Sequence, residues 1–464
     1  WLSESDGVEI AMLDEKILQN ARQIHFIGIG GSGMFPLVQI MQQRGYKITG
    51  SDNNESDTLA LERAMGIDVM LGQRAENIAG ADLIVYTAAI MDDNPELRAA
   101  FASKTPTVER AELLGFLTGL YEDCICVCGT HGKTTTTAML TQMLLGAGLD
   151  PTAVIGGKLP AIGGNGRAGE SSLMVCEACE FKDHFLQLHP DLSVILNVDA
   201  DHLEYFGTIE NIIKSFHKFA DMTTRTIIVN GSDPNSMRAV EGINGKEIIT
   251  FGWDEHFDYY PANIKRKGAR AEFDLCCGGR ALTHLTLHVP GLHNILNATA
   301  ACVAAIKSGV PVTALGEHLA QFRGAGRRFE ILGEVHGVTI ADDYAHHPAE
   351  IAVTLRAARE MDFRRVWAVF QPFTYSRTKL LMDDFAKALS LADRVVMSEI
   401  MGSREKNTEG VYTSQLAEKI PGSVWFAGFE EIADYVMKHA ESGDLVITLG
   451  CGDVYKCAKL MLKK

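Results

Sequence analysis

The run Cys126-Val127-Cys128-Gly129-Thr130-His131-Gly132-Lys133-Thr134-Thr135-Thr136-Thr137 constrains the fold of this chain more than any other stretch. Apolar residues from Cys124 to Cys128 read as a buried strand, and Thr137 to Leu145 carries apolar positions at helical spacing. A strand that passes through a glycine turn directly into a helix is the repeating piece of an α/β fold. The two glycines let the backbone approach a polyphosphate, and the N–H groups at the helix start attract anions. An amine at Lys133 bridges phosphates, and the hydroxyl of Thr134 is placed for Mg²⁺. Val127 stands where the usual phosphate loop has its first glycine, so the pattern is a variant one. The loop Gly129, Thr130, His131, Gly132, Lys133, Thr134 and Thr135 is read as an ATP site. The bland alternative is a turn that only joins two elements.

A second glycine turn lies near the start. Gln23 to Ile27 reads as a strand running into Gly28, Gly30, Gly31, Ser32, Gly33 and Met34, with a helix expected to about Arg44. Gly28, Gly30 and Gly33 match the dinucleotide-binding spacing, and Asp52 follows about 20 residues later, where such folds place a ribose-binding acid. Alone, this half of the pattern predicts an NAD(P)-dependent oxidoreductase. Leu83–Tyr86 and Arg110–Leu120 continue the alternation, so a first domain is expected over 1–122.

The remaining motifs sit at strand ends. Leu173 to Cys176 leads to Glu177 and Glu180, and Leu192 to Leu196 leads to Asn197, Asp199, Asp201 and His202. Ligands of open α/β sheets bind outside the carboxyl ends of the strands, so both clusters are expected to face the phosphate loop. Glu177 and His202 are candidate Mg²⁺ ligands beside Thr134, and the imidazole implies tolerance of Mn²⁺. Asn294 and Asn297 share one helix face, suited either to an adenine edge or to helix capping. A linker, Gly324 to Phe329, carries Arg327 and Arg328. Strands ending at Asp343, Phe370 and Gly450, with a helix over 379–391, predict a third doubly wound unit. The fold class expected is α/β in three domains. These are an N-terminal Rossmann-like domain over 1–122, a central P-loop-type ATPase with a mixed sheet over 123–326, and a C-terminal Rossmann-like domain over 327–464.

Composition excludes other classes. A net charge of −16 over 464 residues argues against nonspecific nucleic-acid binding. No apolar run reaches the roughly 20 residues of a membrane span. Trp1-Leu2-Ser3-Glu4-Ser5-Asp6 lacks the basic start and apolar core of a secretory leader, so a cytoplasmic protein is expected. The ten cysteines are scattered along the sequence, and Cys176-x-x-Cys179 has no second pair at zinc-finger spacing, so reduced thiols are expected.

Taken in order and spacing, these motifs resemble the Mur ligase family of ATP-dependent amide-forming enzymes. The resemblance rests on Gly129–Thr137, the Glu177 cluster, Asp199–His202, His293–Asn297, Arg327-Arg328-Phe329 and Asp342–Pro348, and covers nearly the whole chain. The segments Gly28–Met34, Asp342–Pro348 and Gln371–Thr378 look like the branch that joins L-alanine to UDP-N-acetylmuramate in peptidoglycan synthesis. A sister branch joins a tripeptide to the same sugar nucleotide. The resemblance implies that Gly28, Gly30, Gly31, Ser32, Gly33, Met34 and Asp52 hold the UDP-sugar rather than NAD. It implies Lys133 and Arg328 on ATP phosphates, Thr134 and Glu177 on one Mg²⁺, and His202 on a second beside the acyl group. Asn294 and Asn297 then match an adenine-binding pair and Asp343 the ATP ribose acid, with Tyr344, His346 and Arg377 near substrate. A monomer or weak dimer is expected. Phe373, Thr374 and Cys179 depart from the family pattern, and Phe216 stands where sister ligases carry a carbamoylated lysine.

Overall fold

In the computed structural model, residues 15–403, 405–408 and 410–464 are described, and the acidic lead-in from Trp1 to Asp6 lies outside them. The chain forms two compact units. One runs to Tyr259 and takes in Ala300–Pro311; the other comprises Tyr260–Thr299 and Val312–Lys464.

The first unit holds the two glycine turns. Its N-terminal sheet is wholly parallel, ordered Asp68–Leu71, Lys47–Asp52, Gln23–Ile27, Leu83–Tyr86, Thr107–Glu109. The strand Gln23–Ile27 has its sequence successors on opposite sides, so the chain turns both ways at its carboxyl end. Gly28–Met34 lies at that switch point, where open sheets leave a crevice.

The second sheet of this unit is ordered Glu247–Phe251, Thr226–Asn230, Leu192–Ile195, Asp123–Cys128, Leu173–Glu177, Thr152–Leu159, Gly164–Arg167. All neighbours are parallel except the last pair. Cys124 to Cys128 are completely buried, which is why this strand reads as an unbroken apolar run rather than an alternating one. Its central place sets the site: the phosphate loop leaves the sheet between Asn197, just past one neighbour, and Glu177, the last residue of the other.

The second unit contains an antiparallel hairpin, Arg270–Cys277 with Arg280–Leu287. It also has a six-stranded sheet ordered Glu330–Val335, Val338–Asp343, Leu445–Leu449, Val366–Phe370, Arg394–Ser398, Val424–Phe426. Only the first pair is antiparallel. The helix expected over 379–391 is two helices, Tyr375–Leu380 and Met382–Leu389, because Leu381 leaves helical geometry at φ −111° and ψ 23°. Asp383 and Asp384 favour a new start there by placing negative charge in the first turn.

Candidate active site

The phosphate loop is held from two sides. Gly132 adopts φ 89°, a left-handed conformation that costs glycine nothing, and the helix Lys133–Gly146 starts from it. The Asn197 side chain accepts from the His131 N–H at 2.8 Å and donates to the His131 carbonyl at 2.9 Å. Thr130 accepts from the Asp199 N–H at 2.9 Å. The run after Leu192–Ile195 therefore braces the loop, a consequence of the parallel pairing of that strand with Asp123–Cys128.

Lys133 folds back onto its own loop. Its Nζ donates to the carbonyls of Gly129 at 2.5 Å and Thr130 at 3.1 Å, and to Glu180 at 2.8 Å. Burial works against the charge, but the Glu180 carboxylate outweighs it and holds the ammonium above the usual lysine range. Beside it, the Thr134 hydroxyl donates to Glu177 Oε2 at 3.1 Å, and the Gly156 N–H donates to Glu177 Oε1. A Cβ at Gly156 would lie 2.7 Å from Glu177 Oε2 and 3.0 Å from Thr134 Oγ1. The absent side chain leaves a small cradle lined by a carboxylate and a hydroxyl. Hard oxygen donors of this kind fit Mg²⁺.

His202, the other expected metal ligand, starts the short helix Leu203–Phe206 at φ 52°. Its ring packs 4.8 Å from that of Phe181. Cys179 is half-buried, and a thiol there supplies no carboxylate to the site.

A cavity of about 200 Å³ in this unit is shared by the N-terminal glycine turn and the Gly156–Glu177 cradle. Ser32, Gly33, Arg110, Gly156, Glu177 and His184 lie on its wall. Arg110 Nε is 3.5 Å from where a Gly33 Cβ would stand, so its guanidinium lies against the N-terminal turn. His184 Nε2 meets Glu109 Oε1 at 3.1 Å, and that hydrogen bond holds the Glu109 carboxyl below its ordinary range. The sequence reading missed Arg110 and His184. The available signal was the position of Arg110, just past the carboxyl end of a parallel strand. At the turn itself, Asp52 accepts from the Gly30 N–H at 3.2 Å, while Asn165 donates to the Ser32 carbonyl at 3.0 Å.

The second unit gathers the other expected residues. Asn294 donates to the Pro290 carbonyl at 2.7 Å and accepts from Asn297 at 3.0 Å. Asn294 thus acts as a local brace, with Asn297 oriented by it. Arg327, at φ 58°, donates to Asp342 at 2.8 Å and to the Gly450 carbonyl at 2.6 Å. Arg328 lies 5.2 Å from the centre of the Tyr344 ring. Asp343 accepts from the N–H groups of Phe329 at 2.8 Å and Ala345 at 2.7 Å. Burial nevertheless pushes its carboxyl up to about 6, against the pull of Arg328. His346 pairs with Glu350 at 3.2 Å, and Arg377 sits in the first turn of its helix behind the Thr374 cap.

A glycine turn opening a helix, a half-buried lysine and a hydroxyl–carboxylate pair at the carboxyl end of a parallel sheet form an arrangement characteristic of enzymes that act on nucleotide phosphates. Comparison with known proteins narrows the class. Residues 23–121 match the Mur ligase family catalytic domain, 127–305 the Mur ligase middle domain, and 327–452 the Mur ligase glutamate ligase domain. The UDP-N-acetylmuramate–L-alanine ligase of Agathobacter rectalis is 45% identical over 449 residues, 95% of this chain and 98% of that protein. The enzyme of the same name from Caldanaerobacter subterraneus is 41% identical over 455 residues, 96% of this chain and 98% of that one. The crystal structure of UDP-N-acetylmuramate–alanine ligase from Thermotoga maritima superposes with a TM-score of 0.83 at 27% identity, covering 95% of this chain and 98% of that chain. The chain belongs to the Mur ligase family.

Proposed function

We propose that the protein joins L-alanine to the lactyl carboxylate of UDP-N-acetylmuramate at the expense of ATP, a step in peptidoglycan precursor synthesis. The lactyl carboxylate attacks the γ-phosphate of ATP to give an acyl phosphate and ADP. The amine of L-alanine then attacks the acyl carbon, and inorganic phosphate leaves. Two anions must meet in the first step, so the barrier is mainly electrostatic. Lys133 supplies positive charge from the loop, and the amides of Gly129–Thr135 cradle the phosphates. Thr134 and Glu177 would hold Mg²⁺, which neutralises charge developing on the phosphoryl oxygens. The UDP moiety is assigned to Gly28–Met34 and Asp52, with Arg110 against the diphosphate.

The observation that most supports this reading is the hydroxyl–carboxylate pair of Thr134 and Glu177 next to Lys133, with Glu177 on the wall of a cavity that reaches the other glycine turn. It is the arrangement a sugar-linked carboxylate needs to approach a terminal phosphate. The test is phosphate release from ATP and Mg²⁺ with UDP-N-acetylmuramate, comparing L-alanine with the tripeptide. Release that depends on L-alanine is expected. Release that depends on the tripeptide, or oxidation of NAD(P)H without release, overturns the proposal.

A further inference from the structure

Three cysteines that are far apart in sequence meet inside the first unit. Cys124 and Cys126 are two residues apart on one strand and so point to the same face of the sheet. Cys176 lies on the neighbouring parallel strand in register with Cys126. The Cys126 and Cys176 sulfurs are 3.5 Å apart, those of Cys124 and Cys126 are 3.7 Å apart, and all three lie within 4.8 Å of one another. All three residues are completely buried, in the same apolar cluster as Phe185, Phe216 and Phe219.

The triangle has the dimensions of a three-coordinate thiolate centre. Three sulfurs each about 2.3 Å from one ion stand about 4.0 Å apart in a plane, and closer when the centre is pyramidal. No fourth histidine, cysteine or carboxylate joins the group among the described residues, which disfavours tetrahedral zinc. The Cys126 and Cys176 sulfurs stand at the contact distance of two thiols rather than at the about 2.0 Å of a disulfide, so the pair is present here in its reduced form. Charge narrows the choice among soft ions. Three thiolates leave a net negative charge around a monovalent or divalent ion, and an apolar core penalises that charge heavily. Around a trivalent centre the product is neutral.

We propose that Cys124, Cys126 and Cys176 form a binding site for a soft trivalent metalloid of the arsenous-acid class. In the reaction three As–O bonds break and three As–S bonds form. Each thiol proton leaves with a hydroxyl group as water, and arsenic stays trivalent, so no oxidant is needed. The thiols are enclosed, so entry follows local opening of the sheet and uptake is slow. The occupied site ties together two strands that continue directly into Gly129 and Glu177.

The test incubates the full-length reduced protein with sodium arsenite until uptake reaches a plateau, removes free arsenite, and measures the intact mass under native conditions. One arsenic per chain with the loss of three hydrogens is expected. Cys126→Ala and Cys176→Val should each lower retention at least tenfold, and Cys277→Ser should leave it unchanged. The three-hydrogen count in the unmodified chain decides the matter even if a strand variant fails to fold. No retained arsenic, arsenic bound with loss of only two hydrogens, a bare two-hydrogen loss from a disulfide, or undiminished retention by folded Cys126→Ala or Cys176→Val overturns the proposal.

Discussion

Thr134 and Glu177 share a hydrogen bond of 3.1 Å although 43 residues separate them in the chain. The parallel pairing of Asp123–Cys128 with Leu173–Glu177 produces this contact, since it brings the start of one helix beside the end of another strand. Gly156 completes the arrangement by contributing no side chain.

Glu177→Ala is expected to lower ATP-dependent phosphate release by at least about 100-fold, the loss of several kcal/mol of metal-derived charge stabilisation. Gly156→Ala removes no functional atom but pushes a methyl group into the carboxylate, and it should impair turnover in the same direction. Steady-state rates across a Mg²⁺ titration check both. Normal turnover in either variant would remove the cradle from the mechanism.

Lys133 and Glu180 form a pair whose side chains are 17% and 4% exposed. Lys133→Ala should abolish turnover and also destabilise the fold by about 3–5 kcal/mol, because Glu180 is left buried without its partner. Adding Glu180→Ala should recover much of that stability and none of the activity. Urea denaturation and phosphate release, measured on the two single variants and the double variant, separate the two roles.

Arg110 lies against Gly33 on the cavity wall. Arg110→Ala should raise KM for the sugar nucleotide by roughly tenfold or more, the value of a charge-assisted hydrogen bond, and leave KM for ATP unchanged. Arg110→Lys should recover only part of the loss, because a point charge replaces a fork. An equal rise in both KM values would place Arg110 elsewhere in the reaction.

Glu62 is fully buried, and neither of its carboxyl oxygens has a hydrogen-bond partner among the described residues. Burial, with Asp52 nearby, raises its pKa from 4.5 to about 8. The folded state therefore keeps a proton that the unfolded chain loses above pH 4.5. This contribution to stability is complete below pH 4.5 and is lost as pH rises through 8, by at most about 5 kcal/mol. Glu62→Gln should change the melting temperature little at pH 4.5 and raise it progressively toward pH 8. A gain independent of pH would show that the carboxyl does not titrate in this range.

Much of the site was legible from local pattern. Strand–glycine–helix transitions announce themselves at Gly28–Met34 and Gly129–Thr135 because backbone geometry at such turns leaves few residue choices. The one-residue interruption at Leu381 was less legible, since two short helices with one apolar face share the periodicity of a single longer one. Asn294 carried an ambiguous signal, and the structure gives it a bracing role through Pro290 and Asn297.

By itself the sequence determined the α/β alternation, the strand–glycine–helix turns and the acids at strand ends, because these depend on contacts between near neighbours in the chain. Tertiary structure alone decided that Asn197 braces His131, that Arg110 and His184 share a cavity with Glu177, and that three dispersed cysteines meet on one face of a sheet. Those relationships follow from strand order and register, which bring together residues far apart in the chain, and no local periodicity records them.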